Sequence, residues 1–478
     1  VSSGATVQID TRLSPNSFRD PNGTLVIVDG RVFRLMTIAA GEVLEKKILS
    51  APSVRRWVKE GKLIETERAN EGSLPASLRA LPLAIFEHPR IPFVSYAFEW
   101  SPAMLAEAAG FTLKFNADLL DDGLTLKDAT PANVLFRGSN PVFVDILSIV
   151  TRPTGKFLWA PANQFDSTFL LPLLVNRELG LPLQSSLQDT FSGLSYKDAA
   201  RLLGMRRWLK PRLIVPVALP AALSRNRSTM VGASPVHRND DAAKFTLRRT
   251  LQQRQIRIDQ FAKNRSGSFW QSYTEARQHY SDSDIAEKID FVSQALEEIR
   301  PQWTLDVGAN TGEFSTIASR YSNVVALDID EEASSAIFVM ARREQLNIQS
   351  LVCNFARPSP GLGWENAETQ SLLDRIRGRF DFVLMLAVIH HLRTTAGIPL
   401  IRILDVAKSI TTKHLLVEFV PPQDPMFKQL AKGREDIYTD WMLDQFEYEF
   451  TRRFTVLRKV SLPNSRVLFL GEVLRNPR

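Results

Sequence analysis

Cysteine is nearly missing from this sequence, where Cys353 stands alone. A single thiol permits no intramolecular disulfide and no cysteine-based zinc site, and it favours a reducing compartment, with the cytoplasm expected. Long apolar runs are missing too: no stretch of about 18 apolar residues occurs, so no membrane-spanning helix is expected. Val1 to Arg12 is polar and lacks the apolar core of a secretory signal. No internal repeat is visible. What remains is the composition of a folded protein, 44% hydrophobic and 23% charged over 478 residues, which excludes wholesale disorder and fibrous architectures. At roughly 100–200 residues per domain, two or three domains are expected.

A strong excess of one charge sign is also lacking, since 59 Lys+Arg against 52 Asp+Glu leaves +7. The distribution is uneven. Residues 201–265 hold 15 Lys/Arg and 3 Asp/Glu, a local +12, so the rest of the chain carries 7 − 12 = −5. Such a stretch can track a phosphate backbone, but no RNA-binding module accompanies it; a solvated connector, or a stretch docked on the acidic remainder of the same protein, is the favoured reading and nucleic acid the less favoured partner. Pro211, Pro216 and Pro220 break helix and remove backbone donors there. Residues 242–263 then space Phe245, Leu251, Ile258 and Phe261 among many Arg and Gln, which predicts an exposed or bridging helix.

Ahead of this region, the β-rich runs 25–28 and 32–35 flank Asp29-Gly30, a hairpin signal. Residues 44–60, 102–120 and 169–179 read as helices, so the first half is expected to be α+β. Beyond about Ser281, apolar runs at 303–307, 324–327, 382–386 and 415–419 are separated by helix-length segments, including 284–299 before the first of them. Alternating β and α predicts a largely parallel α/β sheet. The expected boundaries are 1–225 for the first domain, 226–268 for linker and bridging helix, and 269–478 for the second domain.

Leu305-Asp306-Val307-Gly308-Ala309-Asn310-Thr311-Gly312 ends the first C-terminal strand and opens a helix. Gly308 and Gly312 let backbone pass close to a ligand beyond the carboxyl strand ends, and their spacing is not that of the dinucleotide fingerprint. Asp328, ending the second strand, can accept hydrogen bonds from two ribose hydroxyls. These residues resemble the D-x-G-x-x-x-G loop and strand-two acid of class I S-adenosylmethionine-dependent methyltransferases. Residues 351–354, 380–392 and 418–421 follow in that family's order, and 454–471 resembles its closing antiparallel hairpin. The resemblance covers residues 270–475 and implies a Rossmann-like fold binding S-adenosyl-L-methionine, with Asp306, Gly308, Asn310 and Gly312 near its methionine part and Asp328 on the ribose. Asn354 stands where the family has an acid at the adenine edge.

Two histidines and one acid follow strands four and five. His390 is the preferred candidate to take a proton from a methyl acceptor, although paired histidines there often serve packing. Glu418 can orient an acceptor or cap its turn. Trp270, Tyr273, His279 and Tyr280 can lid the cofactor or pack a helix.

In the first half, Asp128-Ala-Thr-Pro-Ala-Asn133 runs into a strand, and Asp145 follows the next. The order D-x-x-x-x-N then Asp resembles protein-kinase-like and aminoglycoside-phosphotransferase-like folds, which implies Asp128 at an acceptor hydroxyl, Asn133 and Asp145 on Mg2+, and ATP as co-substrate. Leu126, Lys127 and Ile146-Leu147 depart from that pattern, and no glycine-rich phosphate loop is visible. Arg34, Lys46 or Lys47 could anchor phosphate, with a surface charge the favoured reading for each. The whole arrangement resembles bacterial class I methyltransferases related to nodulation proteins, supported by residues 92–100, 125–128 and 434–437. It implies bacterial origin and a methylation step without naming an acceptor; an unidentified small-molecule or glycan acceptor, recognised by the first half, is expected. The competing readings are a bifunctional phosphotransferase-methyltransferase and a non-catalytic S-adenosylmethionine- or RNA-binding protein.

Overall fold

The computed structural model describes residues 15–17, 20–187, 192–204, 238–262 and 282–474. The proline-punctuated connector, most of the basic stretch, and Trp270, Tyr273, His279 and Tyr280 lie outside the described residues.

Beginning at the amino end, β1 (Pro15–Ser17), β2 (Gly23–Val28), β3 (Arg31–Met36), β4 (Glu67–Arg68) and β5 (Ala84–His88) form an antiparallel sheet in the order β1-β2-β3-β5-β4. The Asp29-Gly30 connection of β2 and β3 has φ of +50° and +75°, the left-handed pair that a two-residue hairpin loop with native twist demands. The helix expected over 44–60 is interrupted. A π-helical turn at Leu44–Ile48 gives way to a new helix at Pro52–Lys59, because proline is tolerated at a first turn and not inside one. The helix Pro102–Leu119 is capped by Ser101 and leads into four short strands: β6 (Leu124–Leu126) pairs with β9 (Ile149–Thr151), and β7 (Val134–Arg137) pairs with β8 (Asn140–Phe143). The helix expected over 242–263 forms as Asp240–Ala262. Its Ala243, Leu247, Leu251, Ile258 and Phe261 are buried, while Phe245 faces solvent.

The C-terminal half is a seven-stranded sheet. Its strands are β10 (Trp303–Val307), β11 (Asn323–Asp328), β12 (Ile348–Val352), β13 (Phe380–Met385), β14 (Thr411–Phe419), β15 (Phe454–Ser461) and β16 (Val467–Val473), in the order β12-β11-β10-β13-β14-β16-β15. The first five are parallel, and β16 inserts antiparallel between β14 and β15. Helices cover both faces, so the parallel strands are mainly apolar and mostly buried, with a few polar residues such as Asp306 and Gln349 buried among them. The outermost strand β15 instead keeps most of its residues at least partly exposed. No helix of the described residues is long and apolar enough to cross a membrane.

One apolar cluster continues from the first half into the second. Phe136 on β7 meets Trp100 edge-on at 5.0 Å and Phe338, on the helix Glu331–Arg343, at 5.8 Å. Phe93 lies 6.0 Å from Phe380 of β13. Each fully buried ring of this kind contributes about 1.5–3 kcal/mol, so the seam between the halves has the energetics of a core.

Candidate cofactor and acceptor site

The turn after β10 is held open by three left-handed residues, Gly308 (φ +77°), Asn310 (φ +48°) and Gly312 (φ +83°). A Cβ at Gly308 would stand 3.2 Å from Val388 Cγ2, and one at Gly312 would stand 2.8 Å from Ile337 Cγ1. Glycine is therefore required at Gly312 on two counts, conformation and space. The turn is tied to β11 by the Gly308 and Ala309 N–H groups, which donate to the Leu327 carbonyl at 2.8 and 3.0 Å.

Asp328, at the carboxyl end of β11, accepts from the Asn310 N–H at 2.6 Å on one oxygen and from the Asp330 N–H at 2.9 Å on the other. Each oxygen thus keeps a further lone pair for an incoming hydroxyl. Burial raises its pKa above the ordinary carboxylate value, and those backbone bonds oppose the rise. Asp306 lies deeper. Its carboxylate accepts from Ser315 Oγ at 2.6 Å, and burial, helped by the nearby Asp328 charge, pushes its pKa up to about 6. Its direct contact is with the helix that the loop opens. Asn354 Oδ1 accepts from the Ala356 N–H at 3.0 Å, which leaves the Nδ2 group to donate toward a base edge. Next to Asp328 the apolar Ile329 is 66% exposed. Motif reading passes over it, and the only signal available was an apolar residue beside a strand-end acid.

Across the sheet, Ala387 follows β13 with φ +51°, a conformation that costs a non-glycine residue of order 1–3 kcal/mol and clusters at functional sites. His390, three residues on, is buried, and neither ring nitrogen has a hydrogen-bond partner. Burial first, then the charges of His391, Arg466 and Lys288, hold its pKa well below the usual imidazole value, so the ring is neutral at pH 7. The His391 ring lies against it, tilted by 43°, with centroids 4.2 Å apart. Glu418 is fully buried within a charge network: Lys288 Nζ reaches one oxygen at 2.5 Å and Arg466 Nη1 the other at 3.3 Å, while Arg466 Nε donates to Asp424 at 2.7 Å. Lys288, Arg466 and Asp424 escaped sequence reading because nothing in their spacing connects them. Lys288 Nζ also lies 5.0 Å from the ring of Phe314, two residues past Gly312.

In the first half the three residues singled out by sequence do come together. Asn133 Nδ2 donates to the Asp128 carbonyl at 3.3 Å and to Ser148 Oγ at 3.2 Å, and Ser148 Oγ donates to Asp145 at 2.5 Å. Burial raises the pKa of Asp128, with the Asp145 and Asp20 charges adding to it and Lys127 opposing. Of the three candidate cations, Arg34 is the one at this cluster, buried, with Nη2 3.7 Å from Asp145 Oδ1. Lys46 pairs instead with Glu42 in solvent, and Lys47 is exposed.

The strand order, the left-handed glycine turn and the acid ending β11 define a Rossmann-like sheet of the class I methyltransferase type. The chain belongs to the family of nodulation protein NoeA: it is 32% identical to NoeA of Rhizobium meliloti strain 1021 over 458 residues, 94% of each chain. Among solved structures, the N-methyltransferase NodS from Bradyrhizobium japonicum WM9, in complex with S-adenosyl-L-homocysteine, is 12% identical and aligns with 44% of this chain and 100% of its own, at a TM-score of 0.31. The bifunctional kinase-methyltransferase WbdD is 20% identical and aligns with 39% of this chain and 38% of its own, at a TM-score of 0.28. At these scores neither overlap bears on this chain's chemistry. No family model matches the chain.

Proposed function

We propose that this protein is an S-adenosyl-L-methionine-dependent methyltransferase whose N-terminal half recognises a small-molecule or glycan acceptor. The observation that carries the reading is Asp328, with both oxygens oriented by backbone N–H groups beside a turn kept free of side chains at Gly308 and Gly312. The residues fit a nucleoside: Asp328 would hold the ribose hydroxyls, Asn354 Nδ2 and Ile329 the base, and the Gly308–Gly312 backbone the methionine end. When bound, the cofactor supplies a methyl carbon made electrophilic by its sulfonium. Neutral His390 would accept the proton that an acceptor hydroxyl or amine loses. Glu418 would act through Lys288 and Arg466, holding those cations at the acceptor side rather than touching the acceptor. Titration calorimetry with S-adenosylmethionine tests this: wild type binds at one site, and Gly308→Val abolishes binding by filling the turn. Labelled donor added to cell extracts, followed by mass spectrometry, then finds the acceptor; absence of binding by wild type rejects the proposal.

A second reading, phosphotransfer by the N-terminal half, is favoured by Asn133 and Asp145 meeting at Ser148 Oγ while the Asp128 backbone carbonyl accepts from Asn133. Asn133 Oδ1 and the Asp145 carboxylate are two hard oxygen ligands. That matches Mg2+, which takes one or two carboxylates and completes its shell with water and substrate phosphates. Among the described residues no group of three or more acids, histidines or cysteines is placed to hold a metal by itself. Binding of Mg2+-ATP by wild type and its loss in Asp145→Ala would support phosphotransfer; no nucleotide binding would reject it.

A further inference from the structure

Two loops bound the nucleoside end of the proposed cofactor site, and both are fastened to the N-terminal half. The first is 328–330, which leads directly into the helix Glu331–Arg343. Glu331 accepts from Asn176 Nδ2 at 2.6 Å and from the Leu183 N–H at 2.6 Å, so the start of that helix is anchored to residues about 150 positions earlier. The second is 353–371, which opens with Cys353 and Asn354. Here Ser359 Oγ donates to Glu99 and the Gln370 N–H donates to the Tyr96 hydroxyl at 3.0 Å, while Arg375, on the helix Leu372–Ile376 that ends the loop, donates through Nη2 to Glu99 and through Nη1 to the Val94 carbonyl at 2.7 Å. On β12, which leads into this loop, Gln349 Nε2 donates to Ser95 Oγ at 2.8 Å. Glu99 and Arg375 are both buried, and a buried ion pair tolerates the loss of neither partner. The two loops are also joined to each other, since the Cys353 N–H donates to the Asp328 carbonyl at 2.6 Å.

From these contacts we propose that the N-terminal half completes the nucleoside end of the cofactor site, with Tyr96, Glu99 and Asn176 as positioning residues for loops 353–371 and 328–330. The inference rests on the methyltransferase reading and extends it, because none of these side chains belongs to the sheet that carries Asp328. Nucleoside affinity is then a property of the whole chain, and a change in the first half is felt at the ribose and the base.

The test uses full-length protein and two mild variants, Tyr96→Phe, which removes one hydroxyl, and Asn176→Ala. Calorimetry with S-adenosyl-L-homocysteine reports affinity and the binding-competent fraction separately. Expected are losses of affinity of about tenfold for Asn176→Ala and about threefold for Tyr96→Phe, within the range that interface changes exert on a distant site, at unchanged stoichiometry. Adenosine, competing for the same site, should lose affinity by the same factors. A merely structural role lowers stoichiometry or melting temperature and leaves the affinity of the folded fraction alone; that result, or affinities for both variants within twofold of wild type, overturns the inference while the methyltransferase reading stands. Failure of wild type to bind either ligand overturns both.

Discussion

Replacing Asp328 by Ala offers a direct measure of how much the strand-two acid contributes. Its two oxygens each accept one backbone N–H and retain one lone pair, so two charge-assisted bonds to ribose hydroxyls are available. Such bonds are worth about 1.5–3 kcal/mol each. Removing both costs about 3–6 kcal/mol, which at about 1.4 kcal/mol per tenfold lowers S-adenosylmethionine affinity by roughly two to four orders of magnitude. The freed Asn310 and Asp330 N–H groups lie at the rim of the turn and can be rehydrated, so the loss falls on binding more than on folding. Asp328→Asn keeps the shape and one acceptor and should lose about half as much free energy. Calorimetry with S-adenosylmethionine and S-adenosylhomocysteine, alongside thermal melts, separates the two effects. Because the pKa of Asp328 is raised by burial and the ligand needs its ionised form, wild-type affinity should fall as pH drops through that pKa, and Asp328→Asn should not show this fall. If Asp328→Ala binds within threefold of wild type, the carboxylate does not hold the ribose.

Three further outcomes follow from groups around the same sheet end. Burial pushes the pKa of Asp306 up to about 6 from the ordinary carboxyl value of 3.8; between these values the folded state keeps a proton that the unfolded state has lost, so stability should fall as pH rises through that window, by about 3 kcal/mol in all. Denaturant titrations from pH 4 to 7 should show that decline in wild type and its absence in Asp306→Asn, and identical slopes would refute the assignment. Glu418→Leu leaves Lys288 and Arg466 buried without their shared partner and should cost about 3–5 kcal/mol, read from urea midpoints; a loss under 1 kcal/mol would mean that water already reaches the network. For His390→Phe, once an acceptor is found, proton transfer predicts a fall in kcat of about 10²–10⁴, and the depressed pKa predicts a wild-type rate that is flat from pH 8 to below the usual imidazole midpoint. Unchanged kcat would assign the ring to packing.

Much of the C-terminal half is legible in its sequence because parallel strands covered on both faces become mainly apolar runs, and the expected runs at 303–307, 324–327, 382–386 and 415–419 overlap observed strands. The loop from Gly308 to Gly312 is legible for a different reason, that left-handed backbone leaves few residue choices. The Lys288–Glu418–Arg466–Asp424 network is not legible. Its members are separated by up to 178 positions, from Lys288 to Arg466, and a charged side chain reads as exposed until topology places its partner beside it. The same holds for Glu99 and Arg375. In the helix Asp240–Ala262 the abundance of Arg and Gln hides an apolar stripe, and Phe245, which looked like part of it, faces water. Asp128, Asn133 and Asp145 stand close together, as their nearness in the sequence would have it, but that Arg34 rather than Lys46 or Lys47 lies beside Asp145 is visible only in three dimensions.

The aromatic seam in which Phe93 meets Phe380 and Phe136 meets Phe338 sets a limit on recombination. A chimaera joining the first half of this chain to the second half of a diverged relative inherits two mismatched ring surfaces at once. Exchange between lineages should therefore preserve both halves as a matched set, and sequence drift on one side of the seam should be accompanied by compensating drift on the other.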